Sequence, residues 1–258
     1  MMPKSPHVQL MKTGKERLAG LSSSSRLVCF AHAGGSTTAF RGWAEVPPPS
    51  VATYAVQYPG RADCAEVPMP SSLQGVADLL VPELSGLVEQ PLMLLGHSFG
   101  AALAYLCARQ LRLCHPGARL SLLLCAPPLP AQPSRALHRL PDDELWELLT
   151  ELGGIEPQLH DSATLRRQIL PLTRADLKLL EIYAWPPDPP LDCPVTVHWS
   201  PEDPLASSHI PSAWQALCSG PYAQRRHPGG HFFLHERPEK VLFESPGMSF
   251  SSGGSEHA

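Results

Sequence analysis

The chain has 258 residues, 43% of them hydrophobic and 17% charged, with a formal net charge of −4; this length allows one large α/β unit or two small domains. Twenty basic against 24 acidic residues, without a block of like charges, argue against a phosphate-tracking surface and so against nucleic acid as a partner. Wholly apolar runs such as 92–95 and 122–126 fall far short of the ~20 residues a membrane span needs.

Residues 1–25 carry Lys4, Lys12, Lys15 and Arg17 but no continuous apolar stretch, so they read as a flexible tail and not as an export signal. A first strand is expected over 26–30, followed by Ala31-His32-Ala33-Gly34-Gly35, and a second over 53–57. A helical pattern at 73–87 leads to a third strand at 92–95, then Gly96-His97-Ser98-Phe99-Gly100 and a small-residue helix at 101–113. Strands are expected again at 120–125, 195–199 and 222–226. This alternation of strand and helix predicts an α/β fold with a mostly parallel central sheet flanked by helices.

Between about 131 and 186 the strand signal stops, and helices are expected at 142–152, 162–170 and 172–184. Proline clusters at 127–133 and 186–190 bound this stretch as hinges. The expectation is a helical lid inserted into a single domain spanning 26–244. Residues 245–258, rich in Ser and Gly, read as a second flexible tail. Seven scattered cysteines, odd in number and without a CxxC pair, fit buried thiols in a reducing, cytoplasmic compartment.

Strand, GxSxG and helix in direct succession is the arrangement of a nucleophile elbow. Ser98 is the candidate nucleophile, with Gly96 and Gly100 giving the tight turn its clearance. The developing oxyanion needs two main-chain N–H groups. Phe99, the residue after the serine, supplies one and Ala33, in the glycine-containing loop after the first strand, the other. The chain order Ser, acid, His of such hydrolases places the base far downstream. Among twelve histidines, His231 in Pro228-Gly229-Gly230-His231 lies in a loop after a strand, with His227 a distant second. His198 falls inside a strand, and His209 and His235 on helices or their ends. The acid is Asp203 or its neighbour Glu202, directly after the strand 195–199, whereas Asp192 precedes that strand at the wrong end of the sheet. No HExxH, no paired Cys/His spacing and no GxGxxG after a strand is present, so neither metal nor cofactor is expected.

With these residues in place, the chain resembles the type II thioesterases, stand-alone α/β-hydrolases that accompany nonribosomal peptide and polyketide synthases; the medium-chain fatty-acyl thioesterases of animals belong to the same family. The resemblance runs from about Arg26 to Phe243 and rests on FAHAGGSTTAFRGWAE, VQYPGRADCAEVP, LLGHSFGAALAYLCAR, the lid run LPLTRADLKLLEIY, LDCPVTVHWSPEDP and HPGGHFFL. Relatives usually begin the acid loop with a glycine-rich stretch where this chain reads WSPEDP, and the tails match nothing. Carried over by position, the resemblance implies Ser98 as nucleophile, Asp203 as acid, His231 as base and the Ala33 and Phe99 amides as the oxyanion hole. It implies a substrate acyl group on the phosphopantetheine of an acyl or peptidyl carrier protein, no further cofactor, a monomer, and removal of stalled or aberrant acyl units. A general carboxylesterase and an acyltransferase would use the same triad, and a non-catalytic carrier-docking module would retain the fold without needing it.

Overall fold

The computed structural model describes residues 7–11, 24–130, 135–185 and 189–244. Seven strands form one sheet: β1 (Val8–Leu10), β2 (Ser25–Phe30), β3 (Val51–Val56), β4 (Leu92–His97), β5 (Leu120–Cys125), β6 (Val195–Trp199) and β7 (Tyr222–Arg226). Their order is β1-β3-β2-β4-β5-β6-β7, with β1 antiparallel to β3 and every other pair parallel. The central strands are buried on both faces; all six residues of β4 are buried. That explains why they read as continuous apolar runs instead of alternating patterns.

Helices α1 (Leu73–Ser85) and α2 (Phe99–Cys114) connect the central strands. Ser72 caps α1, its hydroxyl accepting the Gly75 N–H at 3.0 Å. Two lid helices, α3 (Asp142–Glu151) and α4 (Ala163–Glu181), lie between β5 and β6 in the chain; α5 (Ile210–Gln215), α6 (Phe233–Glu236) and α7 (Pro238–Phe243) complete the fold. Among the described residues no helix is long and apolar enough to cross a membrane. All seven cysteines are free thiols.

Two expectations change. Within the stretch read as an N-terminal tail, Val8–Leu10 forms the edge strand β1, with Val8 opposite Val56. Glu83 of α1 accepts the N–H groups of His7 and Val8 at 3.2 and 2.8 Å. A three-residue strand held by one neighbour and one carboxylate leaves no periodic signal to read. Residues 1–6, 12–23 and 245–258, assigned to tails, lie outside the described residues, as do 131–134 and 186–188 of the two proline hinges.

The second change is in the lid. The helices expected at 162–170 and 172–184 are one helix, α4, with Pro171 inside it. A mid-helix proline costs about 3 kcal/mol, but here its ring is exposed while Leu170, Thr173, Asp176 and Leu179 form one buried face. Leu170 packs with Leu145, Trp146 and Ile155 in a small core belonging to the lid. Leu179 belongs to the main core. Packing at both ends keeps the helix continuous across the proline.

The parallel register places the C-terminal ends of β2, β4, β6 and β7 on one edge. Strand order reverses between β2 and β4, and Phe30 of β2 lies beside Gly96 of β4. Open α/β sheets bind ligands at such a switch point.

Candidate active site

Ser98 sits between β4 and α2 with φ 55° and ψ −116°, a conformation that costs a non-glycine residue on the order of 1–3 kcal/mol. Its neighbours make the turn possible. A Cβ on Gly96 would come within 2.4 Å of the Ala101 Cα, and one on Gly100 within 2.2 Å of the Phe30 carbonyl oxygen. The Ser98 N–H is anchored on the Cys125 carbonyl at 2.9 Å. Phe99 opens α2, so its N–H has no partner inside the helix and lies at the positive end of the helix dipole.

The loops after β6 and β7 bring base and acid together. His231 Nδ1–H donates to Asp203 Oδ2 at 2.7 Å, with both side chains almost entirely buried. The other carboxylate oxygen of Asp203 accepts the Leu205 N–H at 2.8 Å. Glu202 turns elsewhere, accepting the Gly229 N–H at 3.1 Å and so bracing the loop that carries His231. Of these two neighbours, Asp203 is the one bonded to His231. His227 is engaged with His198, Nε2 to Nδ1 at 2.8 Å, and stacks on Phe233. His235 lies on α6 and Asp192 on the approach to β6, and among the described residues neither is hydrogen-bonded to the His231–Asp203 pair.

In the loop after β2 three successive N–H groups have distinct roles. That of Gly34 donates to Asp176 Oδ2 at 2.8 Å and that of Gly35 to the His32 carbonyl at 3.0 Å. The Ala33 N–H has no hydrogen-bond partner among the described residues and is the one available to an oxyanion. Asp176, on the lid helix α4, also takes both guanidinium branches of Arg61 at 2.7 and 2.8 Å. Arg61 in turn donates to the Gly35 carbonyl at 2.9 Å. Burial pushes the Asp176 carboxyl upward, while Arg61 and the Gly34 N–H draw it back toward the ionised form. This pair ties the lid to the loop carrying Ala33.

Neither Arg61 nor Asp176 was singled out from the sequence, although both lie inside quoted blocks. The signal was available: Leu170, Thr173, Asp176 and Leu179 recur every three residues, which puts a carboxylate on the buried helix face.

Ser98, Asp203 and His231 open on one cavity of about 560 Å³. From the lid, the apolar pattern of 172–183 suggests an acyl-pocket wall of Leu172, Leu177, Leu179, Leu180, Ile182 and Tyr183; of these Leu177, Leu180 and Tyr183 line the cavity, joined by Leu129, Trp185 and Leu205. Leu179 packs in the core, Ile182 is 57% exposed, and Leu172 does not reach the cavity. Glu181 also faces the cavity, its carboxylate held by the N–H groups of Leu137 and His138 and by the His138 ring.

Sheet topology, elbow and the Ser98–His231–Asp203 wall define a hydrolase of the α/β-hydrolase fold. The chain belongs to the thioesterase domain family, whose model matches residues 25–244. It is 34% identical over 222 residues to thioesterase PikA5 of Streptomyces venezuelae, covering 85% of this chain and 79% of that one. With the probable cadicidin biosynthesis thioesterase of Streptomyces griseus it shares 33% identity over 219 residues, 85% of this chain but 61% of that protein's length. Among solved structures, the RedJ thioesterase of the prodiginine biosynthetic pathway in Streptomyces coelicolor superimposes with a TM-score of 0.78 at 36% identity, covering 86% of this chain and 90% of that one.

Two outcomes follow from this geometry. Asp203→Asn removes the acceptor that orients His231 and should lower kcat for a thioester by about 10⁴-fold, while Glu202→Gln, which loosens only the Gly229 contact, should stay within about tenfold; steady-state kinetics decides the ranking. Asp176→Asn leaves the Arg61 charge buried without its counter-ion and should lower the unfolding free energy by about 3–5 kcal/mol, measured by urea denaturation.

Proposed function

We propose that this chain hydrolyses acyl groups from the phosphopantetheine thioester of acyl or peptidyl carrier proteins, clearing stalled or aberrant units from a nonribosomal peptide or polyketide synthase. One observation carries the reading: Ser98, His231 and Asp203 line a cavity to which the lid contributes the apolar and aromatic side chains of Leu177, Leu180, Tyr183 and Trp185. Such a wall suits an acyl chain.

In this mechanism Ser98 Oγ attacks the thioester carbonyl while His231 accepts its proton. Asp203 holds the imidazole by its Nδ1–H and stabilises the imidazolium. The tetrahedral oxyanion is held by the Phe99 and Ala33 N–H groups. Collapse breaks the carbon–sulfur bond, and the pantetheine leaves as a thiolate that takes up the proton from His231. Water, deprotonated by His231, then attacks the acyl-serine and releases the free acid. Every group the scheme needs comes from the chain itself, so no cofactor takes part. Seven free thiols fit action in the cytoplasm, and the protein would act as a monomer.

The lid also bears on the carrier partner. Arg166, Arg167, Arg174 and Lys178 are the basic residues of α4 expected to meet an acidic carrier surface. Arg166 pairs with Asp143 and Arg174 with Asp142, which neutralises both. Arg167 and Lys178 are exposed and have no acidic partner among the described residues, so they are the cations open to a partner.

Ser98→Ala should reduce thioester hydrolysis by many orders of magnitude and leave far-UV circular dichroism unchanged; near-normal turnover would refute the nucleophile. Arg167→Glu with Lys178→Glu should weaken kcat/KM for an acyl-carrier protein at least tenfold and spare a short acyl-thioester lacking the carrier. Equal effects on both substrates would remove α4 from carrier recognition. Faster turnover of simple oxygen esters than of carrier thioesters would point to a carboxylesterase.

A further inference from the structure

Three histidines outside the triad meet beside it. His32 follows β2, His97 ends β4 and His235 lies on α6, and one ring nitrogen from each falls within 4.8 Å of the other two. The His32 and His97 ring centroids are 5.3 Å apart, and those of His97 and His235 are 5.6 Å apart.

Hydrogen bonding fixes the state of the central ring. His97 is fully buried and its Nε2–H donates to the His231 carbonyl at 2.9 Å. Its Nδ1 therefore carries a lone pair, and that buried atom has no partner. Metal-bound histidines have the same arrangement, with one ring nitrogen tied to a carbonyl and the other free to coordinate. Nδ1 of His32 is likewise buried and unpartnered. An unsatisfied buried polar atom is costly, and here two occur side by side.

We propose that His32, His97 and His235 form a binding site for a borderline divalent transition metal of the Zn²⁺ type, with a fourth coordination position left for water. Three imidazoles and an open position suit such ions and not Mg²⁺ or Ca²⁺, which require oxygen. Burial pushes the His32 and His235 imidazoles down to about 3 and about 4 and His97 well below its ordinary value. All three are thus neutral at pH 7, as ligation requires.

Zn–N bonds of 2.0–2.1 Å in tetrahedral geometry put ligand nitrogens roughly 3.4 Å apart, so closing the site takes small ring rotations. Phe232 packs edge-on against His32 and His97 at 4.7 and 4.9 Å, giving the site an apolar wall. His32 and His235 retain partial exposure and provide the entry path. A bound ion would link the loop carrying Ala33, the elbow carrying Ser98 and the segment carrying His231. The site does not depend on which thioester the enzyme cleaves.

The test is a Co²⁺ titration of the full chain, stripped with chelator and reduced, read by visible absorption, with displacement by Zn²⁺. The expected result is one Co²⁺ per chain, displaced by one equivalent of Zn²⁺, with affinity at least 100-fold weaker in His235→Ala and in His32→Asn. Zn²⁺ should also raise the thermal midpoint of the wild type and not of either variant. Absence of Co²⁺ binding in the wild type would overturn the proposal. So would variants that keep wild-type affinity, which would place the ion on surface groups such as Cys114. Should His235→Ala fail to fold, His32→Asn decides alone.

Discussion

A guanidinium and a carboxylate withdrawn from water, Arg61 and Asp176, hold the lid to the sheet. The pair is bidentate, with side-chain exposures of 3% and 0%. Its value is not net stability, because desolvating two charges offsets most of their attraction. What it fixes is position. Asp176 occupies the Gly34 N–H and Arg61 the Gly35 carbonyl, so the loop after β2 has little freedom and its Ala33 N–H is left unclaimed. The face of α4 that lines the cavity with Leu177 and Leu180 is set by the same anchor, since Asp176 precedes Leu177 directly on that helix.

A second constraint is the strained serine. Ser98 holds a backbone conformation that its own residue type disfavours, and the surrounding structure bears that cost. Gly96 and Gly100 let α2 approach β4 and β2 closely, and the Cys125 carbonyl holds the Ser98 N–H. The strained turn sets Ser98 on the sheet edge, in the cavity that His231 also lines. Because β2, β4, β6 and β7 run parallel, loops from four distant parts of the chain end on that edge together. Chemistry at the switch point is thus a consequence of strand direction.

The polar groups around the site follow the same logic. Asp203 and His231 are both nearly buried, yet each carboxylate oxygen has a donor, so little is left unsatisfied. Beside them, the Nδ1 atoms of His32 and His97 are buried without a hydrogen-bond partner. Buried polar atoms are mostly paired, and two unpaired ring nitrogens on neighbouring histidines single out the cluster.

Much of this was legible from the residues. Strands at 120–125 and 195–199 coincide with β5 and β6, because a buried parallel strand is a short apolar run bounded by turn residues; 222–226 coincides with β7, a more exposed edge strand. The elbow was legible for a related reason: strand, turn and helix are contiguous, so every residue shaping it lies within a dozen positions. Local backbone preference is written locally, and the sequence by itself determined the α/β class, Ser98 and the loop holding His231. Tertiary structure decided the remainder. Asp203 and Glu202 are adjacent and chemically alike, and only the path of the loop after β6 turns one toward a histidine 28 residues away. Arg61 and Asp176 are 115 residues apart, and the helix bearing Asp176 runs through a proline that local rules read as a break. Packing overrode that break, because the free energy of burying one helix face belongs to contacts between segments and leaves no pattern within either of them.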